Sequence, residues 1–156
     1  MTDPVSDPVT GTTLHIGCGE AAEWLDTPPE GPLVLVEPNP DCLEAIADSA
    51  LRPDRVIRAA LAETTGRAPF HVLNFADLSS LHPPEVLAGL FPGLRETARI
   101  EVETRTLEAL IEEAGLEGSG HRLVIEAMGE EGPAACCPAS PRSCCGWPAH
   151  RPIPAG

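Results

Sequence analysis

The sequence predicts an α/β domain: a mainly parallel sheet with flanking helices. Three observations carry that expectation. Short apolar runs alternate with helix-patterned stretches along residues 12–131. Residues 32–37 are nearly continuous in apolar side chains, and Leu123-Val124-Ile125 form a second, shorter apolar run, as parallel strands covered on both faces do. The first run, Leu14-His15-Ile16, breaks at Gly17 and Gly19. Glycines there let the backbone turn sharply and approach a ligand.

The elements follow in chain order. Residues 1–11 are polar, with two Asp-Pro steps, and read as a flexible leader. Residues 12–16 form a first strand ending at the glycine turn. Residues 20–25 open a helix after it. Thr27-Pro28-Pro29-Glu30-Gly31 is a loop, and residues 32–37 are the second strand. Residues 41–51 are helical: Pro40 and Asp41 suit a first turn, Leu43, Ile46, Ala47 and Ala50 share a face, and Pro53 helps to end it. Residues 55–60 are a third strand. Thr64-Thr65-Gly66-Arg67 turns the chain into a strand over 68–75. Residues 77–84 are a loop with Ser79 and Ser80, and residues 84–94 hold a short helix weakened by Gly89 and Pro92. Residues 99–105 alternate Arg, Ile, Glu, Val, Glu, Thr, Arg and read as a half-exposed strand. Thr106 caps a helix through Ala114, with Leu107, Leu110 and Ile111 inward, and Gly115 stops it. Residues 121–127 are a buried strand ending in Glu126.

The candidate site gathers at strand ends. Gly17 and Gly19 lie after the first strand. Glu37 ends the second, twenty positions after Gly17, where a carboxylate accepts hydrogen bonds from ribose hydroxyls. The motif is shorter than the dinucleotide pattern G-x-G-x-x-G, because Ala22 occupies the third glycine position. This favours an S-adenosylmethionine site over an NAD site. Gly17 and Gly19 would admit the amino-acid part of such a cofactor. Pro38 and Asn39, just past Glu37, would line its ribose or adenine edge, and Ala60 and Leu61 would flank the adenine. Glu126 would orient an acceptor or the cofactor amino group, or act as a base. Each position also has a purely structural use, as a tight turn or a strand-end acid. Cys18 reads as a small buried filler beside the glycines, and His15 as a packed strand residue. His71, His82 and His121 show no metal spacing.

Charge and composition narrow the partners. The chain has 156 residues, 24 acidic side chains and 10 basic ones, all arginine, for a net charge of −14. That balance argues against nucleic acid or an anionic membrane surface. No run of apolar residues is long enough for a span, and the N-terminus lacks a basic region followed by an apolar one. A cytoplasmic location is the default expectation.

Composition changes after Glu131. Residues 132–156 hold no acid, Leu or Val, but six of the 18 prolines and the pairs Cys136-Cys137 and Cys144-Cys145. Such a segment suits neither a helix nor a central strand. Several readings compete. A metal site fits poorly, because two vicinal pairs separated by six residues do not match zinc spacings. A disulfide staple conflicts with a cytoplasmic location. A shifted reading frame near codon 132 would explain the lost leucines and the cysteine pairs together, since TGC-TGC shifted by one base reads NTG-CTG. A natural irregular tail is its rival.

In the order of these features the chain resembles the FkbM-type methyltransferases. The shared features are the glycine turn, Glu37-Pro38-Asn39-Pro40, Ala60-Leu61, the Thr-Gly turn, the Ser-Ser loop and a strand ending in an acid. The resemblance spans residues 12–131, and Val36-Glu37-Pro38-Asn39-Pro40 is its most specific part. It implies the Rossmann-like class I methyltransferase fold, S-adenosylmethionine as cofactor, and O-methylation of a hydroxyl on a sugar or natural product. The chain departs from the family pattern Lys-Ile-Asp-Val-Glu-Gly at Val124 and Met128, although Glu126 stands at the acidic position. Class I sheets also continue with three further strands, which the tail does not resemble. Residues 12–131 are therefore expected to be a partial domain, the cofactor-binding half. An inactive, truncated domain that binds a nucleoside or pairs its open sheet edge with another chain is the alternative.

Overall fold

The computed structural model describes residues 11–118 and 120–127. The leader up to residue 10, Met128–Glu131 and the proline- and cysteine-rich tail lie outside the described residues, and with them the readings made for those segments.

Four strands form the main sheet: β1 (Thr13–Ile16), β2 (Leu33–Val36), β3 (Arg55–Ile57) and β7 (Arg122–Ile125). Their order is β3-β2-β1-β7, and every pairing is parallel. The register aligns their ends, with Ile16 beside both Val36 and Ile125, and Val36 beside Ile57.

Period-two alternation sends β1 and β2 side chains to two covered faces. Leu14, Ile16, Val34 and Val36 pack with Ile57, and with Leu107 and Leu110 of helix α4 (Leu107–Ala114). Leu33 and Leu35 pack on the other face with Trp24 of α1 (Glu23–Asp26), Ile46 of α2 (Pro40–Asp48) and Leu51. Burying each large aliphatic side chain contributes about 1.5–3 kcal/mol, so helices on both faces are what make the sheet stable.

The helix ends follow the expected capping chemistry. Thr106 Oγ1 accepts from the Ala109 amide at 3.2 Å, and Gly115 closes α4 in the left-handed conformation. Asn39 Oδ1 accepts from the Asp41 amide at 3.1 Å at the start of α2, with Pro40 as its first residue.

Several elements differ from expectation. Residues 17–21 carry three left-handed conformations, at Gly17, Gly19 and Ala21, so no helix forms before Glu23. In α2 the buried face is Cys42, Leu43 and Ile46, whereas Ala47 and Ala50 are exposed; the helix ends at Asp48, with the Ser49 amide bonded back to Ala45 and Ile46. The third strand is split. After β3 the chain turns at Ala59, and Ala60–Leu61 becomes β4 in a second sheet. β7 is only half-buried, because β1 alone flanks it among the described strands.

The second sheet has the order β4-β6-β5. β5 (Gly66–Leu73) and β6 (Glu96–Arg105) are antiparallel, and β6 meets β4 in parallel. Pro69 is tolerated because β5 is the edge strand. The loop after β5 holds a 3-10 turn (Ala76–Leu78) and returns at Ser80, whose backbone pairs with His71. α3 (Glu85–Ala88) is a single turn.

Candidate functional site

Strand order reverses at β1. From β1 the chain steps outward through β2 to β3, then returns to place β7 on the other side of β1. Open α/β sheets bind ligands outside the carboxyl ends of the strands at such a point. A cleft of about 940 Å³ lies there. The backbone ladder runs one residue past each strand: Gly17 N–H donates to Val36 at 2.8 Å, Glu126 N–H to Ile16 at 2.9 Å and Glu37 N–H to Ile57 at 3.1 Å. These bonds hold the first residue beyond each of β1, β7 and β2 in a fixed relation to its neighbour.

The cleft wall contains Gly17, Cys18, Gly19, Glu37, Pro38, Ala60, Leu61 and Glu126. Eight of the nine residues singled out by sequence therefore come together. Asn39 is not on the wall. It is buried behind Glu37, and its side chain is committed to capping α2. Its Nδ2 is a buried donor without a partner among the described residues.

Gly17 is required twice over. Its φ is +72°, and a Cβ there would stand 2.8 Å from the Ala127 amide nitrogen. Gly19, at φ +55°, turns its N–H inward to Glu37 Oε2 at 2.8 Å. The other carboxylate oxygen, Oε1, accepts from the Asn39 amide at 2.9 Å. Glu37 thus ties the glycine turn to the end of β2. Burial pushes its carboxyl up to about 7; the Asn39 and Gly19 amides oppose the rise, and the Asp77 carboxylate adds to it.

Cys18 is buried among Ala21, Trp24 and Leu35, and burial pushes its thiol far above the ordinary range. It is an inert filler rather than a nucleophile. Cys42 is likewise buried, its thiol pushed up to about 12 by burial.

The second sheet supplies a wall that sequence reading did not identify. Phe70, Asn74, Phe75 and Asp77 line the cleft from β5 and the segment after it, together with Ser79 and Ser80. The available signal was a strand running into Asn74-Phe75-Ala76-Asp77, an aromatic and an acid at a strand end. Only pairing with β6 turns that end toward β1. Five carboxylates, Glu20, Glu23, Glu37, Asp77 and Glu126, stand on the wall, and no Arg or His does among the described residues.

Behind Glu126 lies His15, a β1 residue with no exposed surface. Its Nε2 is 2.7 Å from Glu126 Oε2, its Nδ1 receives the Trp24 indole N–H at 2.9 Å, and Glu23 Oε1 lies 3.1 Å from the same Nδ1. The two carboxylates address opposite nitrogens, and one ligand atom from each of the three side chains lies within 4.8 Å of the others. The group is a hydrogen-bonded chain. Its signal in the sequence was a histidine alternating to the polar side of an apolar strand, with Trp24 nine residues on.

No protein-family model, curated protein or solved structure matches this chain. No helix among the described residues is long and apolar enough to cross a membrane. What the residues themselves establish is an α/β fold whose main sheet is parallel, with an acidic cleft at its switch point.

Proposed function

We propose that the cleft binds S-adenosylmethionine and that the chain is, or derives from, a methyltransferase acting on a hydroxyl of a sugar or natural product. The observation that carries this reading is the Gly19–Glu37 contact at the switch point. It brings the glycine turn and the acid after β2 to the same end of the cleft, as a ribose-binding site requires.

The charge of the wall supports the sulfonium cofactor over a dinucleotide. A pyrophosphate would face five carboxylates with no cation to balance it, whereas a sulfonium and an ammonium would be attracted. The amides that would cradle a phosphate are also committed, since the Gly19 N–H is already given to Glu37. Ala60, Leu61 and Phe70 offer an apolar slot for adenine. Glu126, with its side chain 61% exposed, faces the cleft where an acceptor hydroxyl would lose its proton. Methyl transfer is an in-line displacement, so alignment of acceptor oxygen and sulfonium is the main demand on the protein.

A second reading rests on β7. Leu123 is 40% exposed, and among the described strands only β1 pairs with β7, which suits addition of a strand from another chain.

Calorimetric titration with S-adenosylhomocysteine tests the first reading, beside Glu37→Gln. Micromolar binding that the variant weakens at least tenfold is the expected result. A cooperatively folded protein that binds neither this ligand nor S-adenosylmethionine would discard it.

A further inference from the structure

We infer that His15 is a positioning residue that holds the Glu126 carboxylate toward the cleft through an Nε2–H donor whose tautomer Trp24 imposes. The pairing is independent of the ligand; its use at the transfer centre rests on the methyltransferase reading.

The indole N–H of Trp24 can only donate. Because it donates to Nδ1 at 2.9 Å, that nitrogen is an acceptor, and a neutral imidazole must then carry its proton on Nε2. Nε2 lies 2.7 Å from Glu126 Oε2, so the proton is given to the carboxylate. Three features fix the ring. His15 sits in β1, paired on both sides by β2 and β7. Trp24 packs edge-on against it, with centroids 5.8 Å apart. Arg122, on β7, holds the indole from beyond with its guanidinium carbon 5.2 Å from the ring centroid. Glu126, by contrast, is mostly exposed on its free side and has little else to orient it.

Glu23 Oε1 lies 3.1 Å from Nδ1, at the ring nitrogen away from Glu126. The charged groups around the imidazole are thus Glu23 on one side, Glu126 on the other, and Arg122 behind Trp24. Glu126 accepts its hydrogen bond from behind through Oε2, which leaves its other oxygen for the cleft.

The test has two arms on the full chain. Nitrogen-15 histidine NMR at neutral pH reads the tautomer. The His15 signals are those that move in Glu126→Gln but not in Glu96→Gln, since Glu96 contacts His71 instead. A protonated Nε2 beside an unprotonated Nδ1 is expected. The reverse tautomer, or no histidine signal responding to Glu126→Gln, overturns the inference.

The second arm compares S-adenosylhomocysteine with an analogue bearing a primary amine in place of the transferable methyl. Glu126→Gln should weaken the amine analogue about tenfold relative to the homocysteine. His15→Gln, whose amide nitrogen reaches the Nε2 position, should stay within about twofold of the wild type, and His15→Asn should lose about tenfold. Equal weakening of both ligands by His15→Asn, in a protein that still melts cooperatively, would mean that the residue only supports the fold. If wild type binds neither ligand, the methyltransferase reading fails, and the NMR arm alone decides the pairing.

Discussion

The two sheets bury their strands to very different degrees. In β1 and β2 every residue is buried, because helices cover both faces of the parallel sheet. In β6 only Val102 and Thr104 are buried, and of its partner β5 only Phe70–Leu73 are. Yet both sheets wall the cleft. The parallel sheet provides rigidity, the backbone turns and the Glu37 and Glu126 carboxylates, and the segment after β5 adds side chains such as Phe75, which is 54% exposed. The molecule thus divides into a buried parallel core that holds the domain folded and a more exposed hairpin that adds side chains to the cleft wall.

Substitutions can break that division at its strongest point first. Leu35→Ala, in a fully buried strand, should cost about 4 kcal/mol, whereas Ile100→Ala in β6 should cost about 1 kcal/mol. Denaturant melts of the two variants check the contrast. The glycines offer a similar pair. Gly17→Ala combines a left-handed backbone with a Cβ 2.8 Å from the Ala127 amide, and should cost about 3 kcal/mol. Gly66→Ala in β5 meets nothing nearer than 3.9 Å and should stay within about 0.5 kcal/mol of wild type in the same melts.

Acidity separates the sheets as well. The Glu37 carboxyl, raised from 4.5 to about 7, holds more protons folded than unfolded within that window. Its contribution to stability is therefore complete below pH about 4.5 and is lost as pH rises through about 7, a change on the order of 3 kcal/mol. A thermal melting series across this range should show the decline in wild type and a flatter profile in Glu37→Gln. The ionised form is the better acceptor for ribose, so S-adenosylhomocysteine should bind more tightly over the same rise in pH. Glu96, on β6, behaves oppositely: its hydrogen bonds with His71 and Arg99 hold its carboxyl below the usual range.

The smallest expected effect is the most specific to the hairpin. Phe75→Ala should leave the melting temperature near that of wild type while weakening an adenosine ligand about tenfold, the loss of one aromatic contact. Equal affinity in the variant would remove the second sheet from the site.

Much of this arrangement was legible residue by residue. Continuous apolar runs at 33–36 and the glycine break at Gly17 mark buried parallel strands and their turn, because those demands are local. The Thr106 cap and the Gly115 stop around α4 are local too, and they lie where the pattern places them. The start of α1 was not legible, since three consecutive alternate residues adopt left-handed conformations only within the folded turn. Nor was the split at Ala59, because residues 55–60 read as one strand and only β6 draws Ala60–Leu61 into a different sheet.

By itself, then, the sequence determined the α/β alternation, the two faces of β1 and β2, and which strand ends carry Gly17, Glu37 and Glu126. Local sterics and the period of apolar side chains suffice for that. Tertiary structure alone decided that β7 lies beside β1, which makes the switch point. It also turned Phe75 and Asp77 to the cleft, committed Asn39 to α2, and set buried His15 between Trp24 and Glu126. These depend on contacts between residues as far as 111 positions apart, and chain order does not state which distant partners packing will bring within a hydrogen bond.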